Sequence, residues 1–176
     1  MEYYCAMVKS GREEAFKKKF EEAAKKSQFG PEPFEDARVI FFKKRMKNSK
    51  GEKYQESLFK GYVFFSASKM SPALASAAKK CPSFYHFLNS DQDIRRLEGR
   101  DFEIVSNLLK FGETQGISKA TFGKDQRISI ISGPLLGFEG KIVKVNKKRG
   151  RATVKIDLCD NEMRFDLAFD EIKATF

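Results

Sequence analysis

A chain of 176 residues with 41% hydrophobic and 33% charged residues has the length for one ordinary domain or two small ones, and is too apolar for a disordered tail. Its 34 Lys and Arg outnumber 24 Asp and Glu, giving a net charge of +10 and favouring a polyanionic partner such as nucleic acid or a membrane surface. Cys5, Cys81 and Cys159 form no CxxC pair, "MEYYCAMVKSGREEAF" is no secretory leader, and no run nears the ~18 apolar residues of a membrane span. These features predict a reduced cytoplasmic protein with no membrane association.

In chain order, "YYCAMV" at 3–8 reads as a strand, and Ser10 is placed to cap a following helix with Glu13 three positions on. Ala15, Phe16, Phe20, Ala23 and Ala24 recur at three- and four-residue intervals among Lys and Glu, an amphipathic helix that "FGPEPFED" breaks. "ARVIFFKKRMK" at 37–47 and "GYVFFSA" at 61–67 are β-branched and aromatic, and predict two strands of a long hairpin around "NSKGEK". That hairpin carries Lys43, Lys44, Arg45, Lys47, Lys50 and Lys53, either as an edge-protected solvated tip or as part of a basic surface.

"SPALASAAKKC" predicts a helix capped by Ser71 with Pro72 at its first position. "SFYHFL" at 83–88 predicts a strand, and "DIRRLEGRDFEIVSNLLKF" a mostly helical segment with Ile104, Leu108 and Phe111 on one face. The pattern over 1–112 is therefore α+β, an antiparallel sheet with helices packed on one side. Residues 113–126 lose periodicity and gather Gly, Ser, Thr and Gln, so they are expected to be the linker between two domains. Short strands at 127–132, 140–146, 151–158 and 162–168 predict a small β-barrel over 127–176. Their β-branched density argues against a helical alternative for this region.

Enzymatic chemistry finds little footing. The single histidine, His86, sits in an aromatic strand with no nucleophile motif, and reads as a half-buried structural residue. One His and three dispersed Cys give no zinc spacing, and GxxxxGK[ST] and GxGxxG are absent. No catalytic residue, cofactor or metal is expected.

Basic and aromatic surfaces are better represented. Between Lys141 and Lys155 there are seven basic residues and no acid, centred on the turn "NKKRGR". Alternation along "KIVKVN" buries Ile142 or Val143 together with Val145 and leaves the lysines in solvent, the footprint expected for a phosphate backbone. Eighteen phenylalanines, with Phe59, Tyr62, Phe64 and Phe65 close together, exceed what one sheet face can bury. The surplus predicts an exposed apolar patch suited to a partner's helix.

Three motifs carry a resemblance to the NusG family of transcription factors across nearly the whole chain: "YYCAMVKSGREEAF", "LFKGYVFF", and "ISGPLLGFEGKIVKVNKKRGRATVKI", which resembles its KOW module. Tyr3, Lys60 and Leu135 stand where the family usually has Trp, Pro and Phe, and the stretch from Gly116 onward looks closer to the specialised paralogue LoaP, with RfaH a more distant relative. The resemblance implies a monomeric elongation factor that binds the RNA polymerase clamp helices through residues 1–112, contacts non-template DNA and promotes processive antitermination. Matched by position, Tyr3, Arg12, Phe59 and Tyr62 would meet polymerase, and Leu135, Gly137 and Phe138 form the KOW loop. Lys144, Lys147, Lys148, Arg149 and Arg151 would contact a nascent RNA hairpin. The alternative is a general NusG-type adaptor whose KOW domain binds Rho or a ribosomal protein; a ribosome-associated KOW protein is a third reading.

Overall fold

Alternating side-chain direction opens the chain in β1 (Glu2–Val8), which sends Tyr4, Ala6 and Val8 to one face and Tyr3, Cys5 and Met7 to the other. The computed structural model describes residues 1–27, 34–88 and 92–173, and the chain divides into two compact units. The first comprises Met1–Phe41 with Phe59–Glu103; the second comprises Phe42–Leu58 with Ile104–Phe176.

In the first unit, α1 (Glu13–Lys25) follows β1, then β2 (Arg38–Ile40), β5 (Tyr62–Ala67), α2 (Pro72–Lys80) and β6 (Phe84–Phe87). The sheet has the order β2-β5-β1-β6 and its pairings are antiparallel. Tyr4, Ala6, Val8, Val39, Val63 and Phe65 share the face that Phe16 and Phe20 of α1 and Leu74 and Ala78 of α2 cover. Phe65 is the hub, with Phe20 at 5.3 Å, Phe87 at 5.6 Å and Phe16 edge-on at 6.1 Å between ring centroids. Burial of each such ring contributes roughly 1.5–3 kcal/mol. Ser71 caps α2 through its Oγ, which accepts from Leu74 N–H at 3.1 Å.

The start of α1 departs from the expected cap. Arg12, not Ser10, is the N-cap and makes no side-chain capping bond. Glu13 is 2% exposed and its carboxylate accepts the Gly61 backbone N–H at 2.6 Å instead. Gly61 has φ of +82°, and its carbonyl accepts from Val8 N–H at 2.8 Å. The glycine in "LFKGYVFF" is thus the junction at which the β1–α1 turn and the entry to β5 lock together.

The second unit contains two sheets. β3 (Lys43–Lys47) pairs with β4 (Lys53–Ser57) as an antiparallel hairpin and with β7 (Thr114–Gln115) in parallel, in the order β4-β3-β7. The expected single strand over 37–47 is therefore two: β2 ends at Ile40, Phe41 and Phe42 lie outside strands, and β3 enters a different sheet. The hairpin partner of β3 is β4, whereas β5 pairs with β1 and β2.

Helix α3 (Gly99–Leu109) buries Ile104, Val105 and Leu108. β8 (Ser118–Phe122), β9 (Ile128–Ser132), β10 (Ile142–Asn146), β11 (Arg151–Leu158) and β12 (Asn161–Glu171) form a five-stranded sheet in the order β10-β11-β12-β8-β9. This curled sheet is the β module expected from the chain's second half. β7 and β8 lie within 113–126, where composition gave no strand signal. Most of the proline-rich break, residues 28–33, lies outside the described residues.

Replacing Glu13 by Ala leaves the buried Gly61 N–H without its acceptor and is expected to cost about 1–3 kcal/mol in urea unfolding. Glu13→Gln retains an acceptor oxygen and should recover most of that stability.

Candidate nucleic-acid interface

The turn between β10 and β11 is built by backbone chemistry that leaves its charges outward. Asn146 Oδ1 accepts the Arg149 N–H at 3.0 Å, and the Gly150 N–H reaches the Lys147 carbonyl at 3.2 Å. Gly150 takes φ of +58° and accepts the Phe169 N–H at 2.8 Å, which ties the turn to β12. A Cβ at Gly150 would stand 2.6 Å from the Phe169 carbonyl oxygen, so this turn tolerates no larger residue in place. The tip is fixed as well as charged.

Its cations divide into two groups. Lys147 is held by Glu171 at 3.0 Å and stands 4.4 Å over the Phe122 ring centroid. Lys155 pairs with Glu162 at 2.8 Å, and Arg164 also reaches that carboxylate at 3.1 Å. Lys155 first, then Arg164, holds the Glu162 carboxyl below the usual carboxylate range. Arg151 is half-buried, and its Nη2 donates to the Lys47 carbonyl at 2.9 Å and to the Tyr54 hydroxyl at 3.0 Å. Lys144, Lys148 and Arg149 are exposed and have no side-chain ion pair among the described residues. Unlike Lys147 and Lys155, these three would meet a phosphate without first displacing an acid.

One local expectation is corrected here. Val143 and Val145 are 52% and 38% exposed, on β10 at the edge of the sheet. Alternation showed the period but could not show that the strand lies at an edge. Leu135 and Phe138 are core residues, at 0% and 6% exposure. Phe138 packs edge-on against Phe165 at 6.2 Å, and the Leu135 N–H is satisfied by Ser118 Oγ at 3.0 Å. Gly137 is exposed with φ of +89°, and the neighbouring exposed apolar side chain is Leu136, at 47%.

In the first unit, strand register places Tyr3 and Tyr62 on one sheet face, opposite α1 and α2, with Cys5 and Phe64 between them. Tyr3 and Tyr62 are half-buried and Arg12 is exposed. Tyr3 rests on Phe102 at 5.5 Å. Phe59 is buried and meets Phe64 edge-on at 6.0 Å, while Cys5 and Phe64 are also buried. The expected open aromatic patch is thus reduced to half-buried Tyr3 and Tyr62 on this face, with Phe59 beneath them. His86, expected to be half-buried, is exposed, with Nδ1 3.0 Å from the Phe87 carbonyl oxygen.

Residues 1–106 match the family model described as transcription termination factor nusG, and residues 124–155 match the KOW motif. The chain belongs to the NusG family. A solved structure of Thermotoga maritima NusG, described for its domain interaction, aligns over 95% of this chain and 93% of that one, with 21% identity and a TM-score of 0.62, an agreement in fold. An MjSpt4:Spt5 complex aligns over 96% of this chain and 99% of that one at 11% identity, with a TM-score of 0.35.

In this NusG-family chain, sequence patterns did not single out Tyr54 or Phe122, and they gave Glu13 a capping role in place of its bond to Gly61. Tyr54 carried the only available signal, an aromatic residue among the charges of "GEKYQE". Among the described residues no group of three or more His, Cys, Asp and Glu side chains could hold a metal, and no helix is long and apolar enough to cross a membrane.

Gly150→Ala should cost about 1–3 kcal/mol in thermal or urea unfolding, from its left-handed backbone and the Phe169 clash. The Glu162 carboxyl is lowered on folding, so its stabilisation is present above the unfolded carboxylate value and disappears as pH falls through the folded one. The stability gap between wild type and Glu162→Gln should therefore be largest near neutrality and begin to narrow only as pH falls through the ordinary glutamate value of about 4.3.

Proposed function

We propose that this NusG-family chain is a transcription elongation factor that binds RNA polymerase and promotes processive antitermination, with its KOW region contacting a nascent RNA hairpin. The supporting observation is the rigid β10–β11 turn, which presents Lys148 and Arg149, with Lys144 on the adjacent strand, unneutralised by any acid among the described residues. Exposed cations on a backbone-held turn match a phosphate backbone, which would neutralise them on binding. Lys147 and Arg151 contribute from partnered positions, Lys147 across Phe122 and Arg151 from beneath the turn.

For the polymerase contact, Tyr3, Tyr62 and Arg12 supply the surface and Phe59 its buried support. Residues 1–112 are the polymerase-binding domain in this reading, 113–126 the connection and 127–176 the KOW domain. Non-template DNA is a further contact of the assembled complex.

A second reading has its own observation. Ile131, Leu136, Val143 and Val145 are large, apolar and 38–55% exposed, side chains that a protein partner such as Rho or a ribosomal protein could bury. It predicts tight protein binding and weak, salt-sensitive RNA affinity.

Titration of the full chain with a structured RNA hairpin across a salt series separates the two. Lys148→Ala with Arg149→Ala should weaken RNA binding and reduce the salt slope by roughly 0.7 to 0.9 for each phosphate that is no longer neutralised; an unchanged slope would remove the turn from the RNA site. Arg12→Glu combined with Tyr62→Ala should weaken polymerase capture several-fold while RNA affinity holds, whereas unchanged capture would discard that surface.

A further inference from the structure

Two basic segments that are about a hundred residues apart in sequence meet inside the second unit. The β3–β4 hairpin and the β10–β11 turn line one cleft of about 810 Å³. Lys47 and Tyr54 come from the hairpin, and Lys147, Lys148, Arg149 and Arg151 from the turn side. The two walls are joined by Arg151, which bridges to Lys47 and Tyr54, and by the ion pair of Lys47 with Asp170.

The cleft holds five cationic side chains and two carboxylates, Asp170 and Glu171, and each carboxylate is already paired with a lysine. Lys148 and Arg149 have no such partner among the described residues, and Arg151 has no carboxylate partner there. Hydrogen-bond donors are therefore in surplus where an anion could lie. Tyr54 adds a feature that a phosphate site alone does not need. The residue is 38% exposed in a hairpin wall otherwise lined by Lys47, Asn48, Ser49 and Gly51, and its hydroxyl is held by Arg151. A positively charged groove with an oriented aromatic ring is the combination that binds unpaired nucleic acid, the backbone following the cations and a base stacking on the ring.

Size argues in the same direction. A cleft of about 810 Å³ lies in the range that encloses a small ligand. Duplex RNA is instead read across successive grooves over ~16 base pairs.

We infer that this cleft seats an unpaired RNA strand, with one base stacked on Tyr54 and its phosphates on Lys148, Arg149 and Arg151. The inference rests on the proposed RNA contact of the β10–β11 turn and extends it, assigning the β3–β4 hairpin as a second wall and an unpaired segment of the RNA hairpin, such as its loop, as the part bound in the cleft.

The test uses the full chain with a fluorescein-labelled oligouridine and a length-matched RNA duplex. Tyr54→Ala should weaken oligouridine binding by about 5- to 140-fold, while Tyr54→Phe, which keeps the ring and removes the Arg151 bond, should bind like wild type. Duplex binding should be unaffected by either. Wild-type protein irradiated with 4-thiouridine RNA should give an adduct on the peptide Tyr54–Lys60, a readout independent of variant stability. Equal weakening in Tyr54→Phe and Tyr54→Ala would overturn stacking, since only the placement of Arg151 would then matter. If Lys148→Ala with Arg149→Ala weakens RNA binding but Tyr54→Ala does not and no adduct forms, the turn reading stands and the cleft falls. If neither variant changes RNA affinity, both fall.

Discussion

Burial of β5 on both faces is the constraint on which the first unit depends. Val63, Phe64, Phe65, Ser66 and Ala67 are all buried, so this central strand cannot leave one side to solvent. Phe65 requires α1 and α2 above it, and Phe64 requires Phe59 on the other side. The strand must also enter its sheet in register, because a one-residue slip would exchange Phe64 with Phe65 and uncouple the aromatic cluster. The Gly61–Glu13 bond anchors the chain immediately before the strand's first residue. The surface left over is narrow: half-buried Tyr3 and Tyr62, with exposed Arg12 in the turn below.

Arg151 has the corresponding part in the second unit. A guanidinium can reach a carbonyl and a phenol hydroxyl from one rigid plane, and here it holds the β3–β4 hairpin against the start of β11. Lysine would offer a point charge without that geometry. The residue therefore acts in structure and in electrostatics together, since it positions Tyr54 while adding to the positive field of the turn. Neighbouring pairs, Lys147 with Glu171 and Lys155 with Glu162, thin the apparent stripe of seven cations to a smaller set that stays available to a ligand. Charge counted along a chain overstates charge offered at a surface.

Much of the fold was legible because period and punctuation are local. β1, α1, α2, β6 and α3 follow from alternation, from i, i+3, i+4 spacing and from the Ser71–Pro72 cap. The break between β2 and β3 was not legible, because "VIFFKK" is continuous in composition and only pairing with different sheets divides it. β8 was hidden for a similar reason: "SKATF" is polar and short, and it is a strand because β12 and β9 flank it. The burial of Leu135 and Phe138 was not legible either, because it depends on Ser118 and Phe165, which come from other strands.

The sequence by itself determined the two β-rich halves, the positive charge, the position of the "NKKRGR" turn and the motifs that mark the NusG family, since each depends on residues close together in the chain. Tertiary structure alone decided which cations are neutralised, that Phe59 lies under the surface and not on it, and that Tyr54 stands beside the turn. Those outcomes depend on partners as far apart as Lys47 and Asp170 or Glu13 and Gly61, and the interactions that select them arise only once the sheets are packed.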